Sequence, residues 1–167
     1  MQESVRQEPA RTVPVLSAQE LSRVRSVLYL NGLRGTEIED AAQDVQVRLL
    51  ERAPVDLVSA GSWASVVATR VALDRHRRRA TRRRMLLRLA SGTEESCATP
   101  DAADVVAVRT ALEGLDPDLR SVVVLRYFAD LDVAAISAAL AIPTGTVKSR
   151  LSRAHARLRN ALSEAQP

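Results

Sequence analysis

Residues 136–158, ISAALAIPTGTVKSRLSRAHARL, constrain the chain more than any other stretch. Two helical patterns meet there across a tight break at Ala141, Ile142 and Pro143. In the second pattern Val147, Leu151, Ala154 and Leu158 recur at i, i+4, i+7 and i+11, one apolar stripe on a 3.6-residue period. The other side offers Thr146, Ser149 and Arg153, flanked by Lys148, Arg150 and Arg157. One face buries itself and the opposite face presents cations and hydroxyls. This is the pattern of a helix-turn-helix whose second helix enters a DNA major groove. A solvated basic helix on an ordinary bundle is the alternative reading.

Composition narrows the rest. Of 167 residues 46% are hydrophobic but only 2% aromatic (Tyr29, Trp63, Tyr127 and Phe128), while Ala, Leu and Arg are good helix formers. An all-α fold of one medium or two small domains follows. No run approaches the ~18 apolar residues of a membrane span, and the N-terminus lacks a signal-peptide core, so no membrane insertion and a cytoplasmic chain are expected. A single cysteine, Cys97, excludes an internal disulfide framework and a cysteine-rich zinc site. His76 and His155 sit in different halves, with no Gly-rich phosphate loop. No catalytic constellation, metal site or cofactor is expected, and the chain does not read as an enzyme.

The net charge of +4 matters less than its distribution. Arg70, Arg75, Arg77, Arg78, Arg79, Arg82, Arg83, Arg84 and Arg88 face Asp74 alone. Residues 91–104 carry only Glu94, Glu95, Asp101 and Asp104, and the chain turns basic again from Lys148 to Arg159. Two basic regions about an acidic strip suggest two nucleic-acid-facing modules. Four to six phosphate contacts by the first would cost roughly two to three decades of affinity between ~50 and ~200 mM salt.

In chain order, residues 1–16 read as a disordered arm. Ser17 and Glu20 form a capping-box pattern before a helix with Leu21, Val24 and Leu28 on one face, ending near Asn31 and Gly32. The next helix, opened by Thr36, buries Ile38, Ala41, Ala42, Val45 and Leu49. Its other side groups Asp40, Gln43 and Asp44 with the aliphatic Val47 and Leu50. That face either docks a partner helix or is covered by a third helix of the same domain. Residues 53–61 read as a loop, with Ser62 capping a helix that carries Trp63, Val66, Val67 and Val71 into the arginine cluster. Residues 91–104 read as an interdomain linker. Beyond it Val105, Val108, Ala111, Leu112 and Leu115 form a short helical face, and Asp116 with Pro117 starts another helix. Leu119, Val122, Val123, Arg126 and Tyr127 line that helix, and Phe128 adds bulk to a small core. Asp132 caps the helix that precedes the break.

These residues carry a family resemblance. LDPDLRSVVVLRYFADLDVAAISAALAIPTGTVKSRLSRAHARLRNAL resembles region 4 of bacterial sigma factors, in the extracytoplasmic function (ECF) group of the sigma-70 family. IEDAAQDVQVRLL resembles the polymerase-binding helix of region 2, and SWASVVATRVALDRHRRR resembles the promoter-melting helix after it. The resemblance covers residues 21–162 and implies two small helical domains, a region 2 bundle at 17–90 and a region 4 helix-turn-helix at 105–167, joined by a flexible linker. By position, it makes Asp40, Gln43, Asp44, Val47 and Leu50 contacts to core RNA polymerase, whose beta and beta-prime subunits are the implied partner. It gives Trp63, Arg70, Arg75, Arg77, Arg78 and Arg79 to the minus-ten element of promoter DNA. Thr144, Thr146, Lys148, Ser149, Arg150, Arg153 and Arg157 fall to the minus-thirty-five element. Members of this group often have an anti-sigma factor, a further implied partner.

The chain departs from the family pattern in several places. Arg70 stands where Asn is common, Ala141 where Gly closes the turn, and His155 where Arg is frequent. The 54–61 loop lacks the usual Asp-Pro and aromatic pattern, and few aromatics mean few stacking platforms for single-stranded DNA. A helix-turn-helix regulator that is not a polymerase subunit would explain residues 136–158, but it leaves the Asp40, Gln43 and Asp44 helix without a purpose.

Overall fold

A computed structural model describes residues 16–52, 60–87 and 103–164, and no strand occurs among them. The helices are α1 (Ala18–Leu30), α2 (Thr36–Arg52), α3 (Ala60–Leu87), α4 (Ala103–Glu113), α5 (Pro117–Val123), α6 (Val133–Leu140) and α7 (Thr144–Glu164). A π-helical turn, Val124–Phe128, extends α5. Most of the expected arm, of the 53–61 loop and of the linker, with Cys97, lies outside the described residues; Leu16, expected in the arm, is buried in the first core, and Ala103 and Asp104, expected in the linker, begin α4.

Helices α1, α2 and α3 close around Val24, Val27, Leu28, Ala41, Val45, Leu49, Ala64, Ala68 and Val71. The capping box forms as expected: the Glu20 amide donates to Ser17 Oγ at 3.2 Å, and the Ser17 amide donates to Glu20 Oε2 at 2.8 Å. The end of α1 is a Schellman motif, in which the Leu33 amide reaches the Leu28 carbonyl and the Gly32 amide the Tyr29 carbonyl. Gly32 sits at φ +92, a left-handed conformation that glycine adopts without a Cβ penalty. Ser62 does not cap α3, because that helix already runs from Ala60. It then continues for 28 residues, ~42 Å at 1.5 Å per residue. Its first half is anchored in the core, whereas residues 77–85 are exposed all round.

The second core joins Leu112, Leu115, Leu119, Val122, Leu125, Ile136, Val147, Leu151 and Ala154. The stripe on α7 is buried as its period predicts, with Leu158 half-buried. Val108 is 51% exposed, so it drops out of the α4 face. Tyr127, placed on the core by its position in the pattern, is instead 64% exposed, with its hydroxyl 2.8 Å from His155 Nε2. Phe128 packs on the first core, not on its own. Both displacements follow from the π turn, which sends Val124 into the first core while Val123 and Leu125 enter the second.

The two bundles therefore share an interface, and Arg120 is its centre. The side chain is buried; Nη2 donates to the carbonyls of Glu113 (2.7 Å) and Leu115 (2.9 Å), and Nη1 to that of Asn31 (3.2 Å). A Cβ on residue 32 would collide with Nη1, a second reason for glycine there. The Asn31 carbonyl also meets His76 Nε2 at 2.7 Å. Around this centre Arg34 pairs with Glu113, Arg109 Nη1 donates to the Tyr29 hydroxyl (3.1 Å), and Arg23 Nη2 donates to the Phe128 carbonyl (3.1 Å).

Two predictions follow from this packing. Ala141 holds φ +53 at the end of α6, where the Ile142 amide closes onto the Ser137 carbonyl. An L-residue there carries a steric cost that glycine lacks, partly offset by the flexibility of glycine in the unfolded chain. Ala141→Gly should stabilise the chain by about 0.5–1 kcal/mol in urea unfolding. The second concerns His76, where burial pushes the imidazole below its ordinary 6.5, opposed by the Asn31 carbonyl and reinforced by Arg120. As pH falls through 6.5 the unfolded chain binds this proton first, so the His76 contribution is intact above that pH and lost below it. Urea titrations between pH 7.5 and 5.5 should show a flatter pH dependence for His76→Gln than for wild type; equal slopes would refute the assignment.

Candidate nucleic-acid and polymerase interfaces

On α2 the outward face is open. Asp40, Gln43 and Asp44 are exposed, and Val47 and Leu50 are 51% and 57% exposed. No helix of the same domain covers them among the described residues, so that alternative is set aside. Asp44 is not wholly free, because Arg75 Nη2 donates to its Oδ2 at 2.8 Å. A residue assigned to polymerase and one assigned to DNA thus brace α2 against α3. Arg79 pairs likewise with Glu37 on α2.

Trp63 is half-buried against the first core and gives α3 bulk at its start. Arg78 pairs with Asp74 one turn back at 2.9 Å, an exposed i,i+4 contact of small energy. Arg77 stands exposed, with Arg82 and Arg84 along the same free half of α3. Arg70 is turned away from this row. Its Nε donates to the Ala139 carbonyl and its Nη2 to that of Ala138 (3.4 Å), so its guanidinium caps the last turn of α6.

On α7, Thr144, Lys148, Ser149 and Arg153 are exposed and Thr146 is half-buried. Ser149 Oγ donates to the Thr146 carbonyl at 3.0 Å, and Arg153 Nε reaches the Ser149 carbonyl at 3.4 Å. Arg150 and Arg157 are directed elsewhere: Arg150 Nη2 lies 2.8 Å from Asp118 Oδ2 and Arg157 Nη1 2.7 Å from Asp116 Oδ2. Asp116 occupies the cap position of α5 without a side-chain cap bond; its carboxylate serves α7 instead. These two pairs set the roll of α7 on α5. Asp132 does cap α6, accepting from the Ala135 amide at 2.7 Å.

Sequence reasoning missed Arg120, Asp116 and Asp118 as organisers. The readable signal was Arg120 itself, a lone cation beside the run Val122 to Leu125 that leaves no solvent side for it.

The family model "Sigma-70 region 2" matches residues 16–84, and "Sigma-70, region 4" matches residues 106–158. The chain is similar to an RNA polymerase sigma-E factor of Streptomyces coelicolor, 46% identical over 65 residues. It is also similar to one of Streptomyces antibioticus, 45% identical over 64 residues. These alignments cover 39% and 38% of this chain and only 37% and 36% of the relatives' length. A solved structure of the sigma factor RpoE with the anti-sigma factor NepR from Bartonella quintana shares the fold. Its TM-score is 0.70 at 22% identity, over 87% of this chain and 92% of that one.

If Asp118 and Arg150 orient α7, a double-mutant cycle with Asp118→Ala and Arg150→Ala should give a coupling of about 0.5–1 kcal/mol. The same cycle on Asp74 and Arg78 should give about 0.3 kcal/mol. Equal couplings would argue against a bracing role.

Proposed function

The chain belongs to the sigma-70 family, and from that premise we propose that it is an alternative sigma factor of the ECF group, acting in the cytoplasm. It binds core RNA polymerase through α2, chiefly Asp40, Gln43, Val47 and Leu50, with Asp44 joining once Arg75 releases it. The α3 side then takes the minus-ten element and α7 the minus-thirty-five element of promoter DNA. In the division of labour we propose, residues 17–90 serve polymerase and the minus-ten element, and residues 105–167 the minus-thirty-five element, across the 91–104 linker. An anti-sigma factor is a further partner by analogy with the complex formed by the Bartonella relative.

One observation carries the reading: the acidic and aliphatic face of α2 is uncovered in a chain that also carries a helix-turn-helix. Burying Val47 and Leu50 on a partner would stabilise the complex, and Asp40 supplies charge specificity. A DNA-binding regulator that is not a polymerase subunit leaves this face without a use.

Core polymerase should copurify with the chain, and Asp40→Arg should weaken that association at least about tenfold while circular dichroism stays unchanged. With core polymerase the wild type should start transcription at discrete sites on genomic fragments. DNA binding with no polymerase association would favour the regulator instead.

A further inference from the structure

Arg70 lies on the α3 half of the chain yet spends its guanidinium on the helix-turn-helix of the other half. The acceptors are the Ala138 and Ala139 carbonyls at the C-terminal end of α6, immediately before the turn into α7. Carbonyls at a helix end carry partial negative charge and accept from a guanidinium much as phosphate oxygens do; the Ala138 carbonyl accepts from Arg70 in addition to the Ala141 amide. Arg34 with Glu113, Arg109 with Tyr29, and Arg120 with the Asn31 carbonyl hold the same two halves together.

This closed arrangement conflicts in size with the proposed function. Elements at minus ten and minus thirty-five lie roughly 25 base pairs apart, about 85 Å along B-form DNA. Helices α3 and α7 are ~42 and ~31 Å long, and here α3 is hydrogen-bonded to the bundle that carries α7. The fifteen residues between Leu87 and Ala103 allow a span of up to ~50 Å, which lets the halves part.

We propose that Arg70 has two mutually exclusive positions: bonded to the end of α6 it latches the two halves shut, and only after releasing those carbonyls does it serve promoter DNA. The proposal rests on the sigma-factor reading for its DNA side, but the latch itself is testable without DNA.

In the full chain with Cys97→Ser, cysteines introduced by Ser22→Cys and Ser163→Cys carry a fluorescence-transfer pair. The protein alone should show one dominant compact population, and Arg70→Asn should raise the extended fraction at least threefold. An extended wild type, or an unchanged distribution in Arg70→Asn, would overturn the latch. In a second sample Arg34→Cys and Glu113→Cys are joined by a reducible bis-maleimide and assayed with core polymerase on sheared genomic DNA. Joined protein should initiate at least tenfold less than the same sample after reduction, which also shows that the fold survived. Equal initiation before and after reduction would overturn the proposal. Failure of the unmodified wild type to initiate would sink the sigma-factor reading instead, and the distance measurement would still decide the latch.

Discussion

One buried guanidinium stands at the centre of the contacts that hold the two bundles in register. Arg120 leaves water to satisfy the last carbonyl of α4 and one in the connection after it, and from the same group the carbonyl of Asn31, which caps α1. Burial lowers its pKa, and Arg34 adds to that lowering, opposed by Glu113 and Asp116. The site tolerates the charge because it sits where helix ends concentrate negative potential. Gly32 must lack a side chain for the guanidinium to arrive, and His76 shares the acceptor. Three otherwise separate features, a glycine stop, a histidine and a lone cation in an apolar helix, are one construction.

Much of this was readable in the residues. The 3.6-residue stripes of α2 and α7, the capping box at Ser17 and the aspartate cap at Asp132 came through because each depends only on neighbours within a turn or two. What escaped involves contacts distant in sequence. Tyr127 and Phe128 look like core residues by spacing, but the π turn rotates them off the expected face. Arg150 and Arg157 sit by position among the residues expected to face DNA, yet carboxylates more than thirty residues away fix their direction. No periodicity argument sees such a partner.

The arginines accordingly divide into two populations. Arg75, Arg79, Arg150 and Arg157 are engaged with acids on or at the start of neighbouring helices, while Arg77, Arg82 and Arg84 lie exposed along the outer half of α3. A formal charge count overstates the cationic surface offered to a polyanion, because a carboxylate within 3 Å cancels much of the field of its arginine. Raised salt acts on the two groups unequally. It screens the exposed row and the open Arg157–Asp116 pair strongly and the more sheltered Arg150–Asp118 pair less.

The length of α3 has a mechanical consequence. Its N-terminal half is clamped between α1 and α2, the Arg79–Glu37 pair is the last tie to α2 among the contacts described, and residues 80–85 are all exposed. Amide protons there exchange by local fraying, without the global opening that the clamped half requires. One continuous helix is thus two bodies in its dynamics: a fixed post, and a compliant cationic lever.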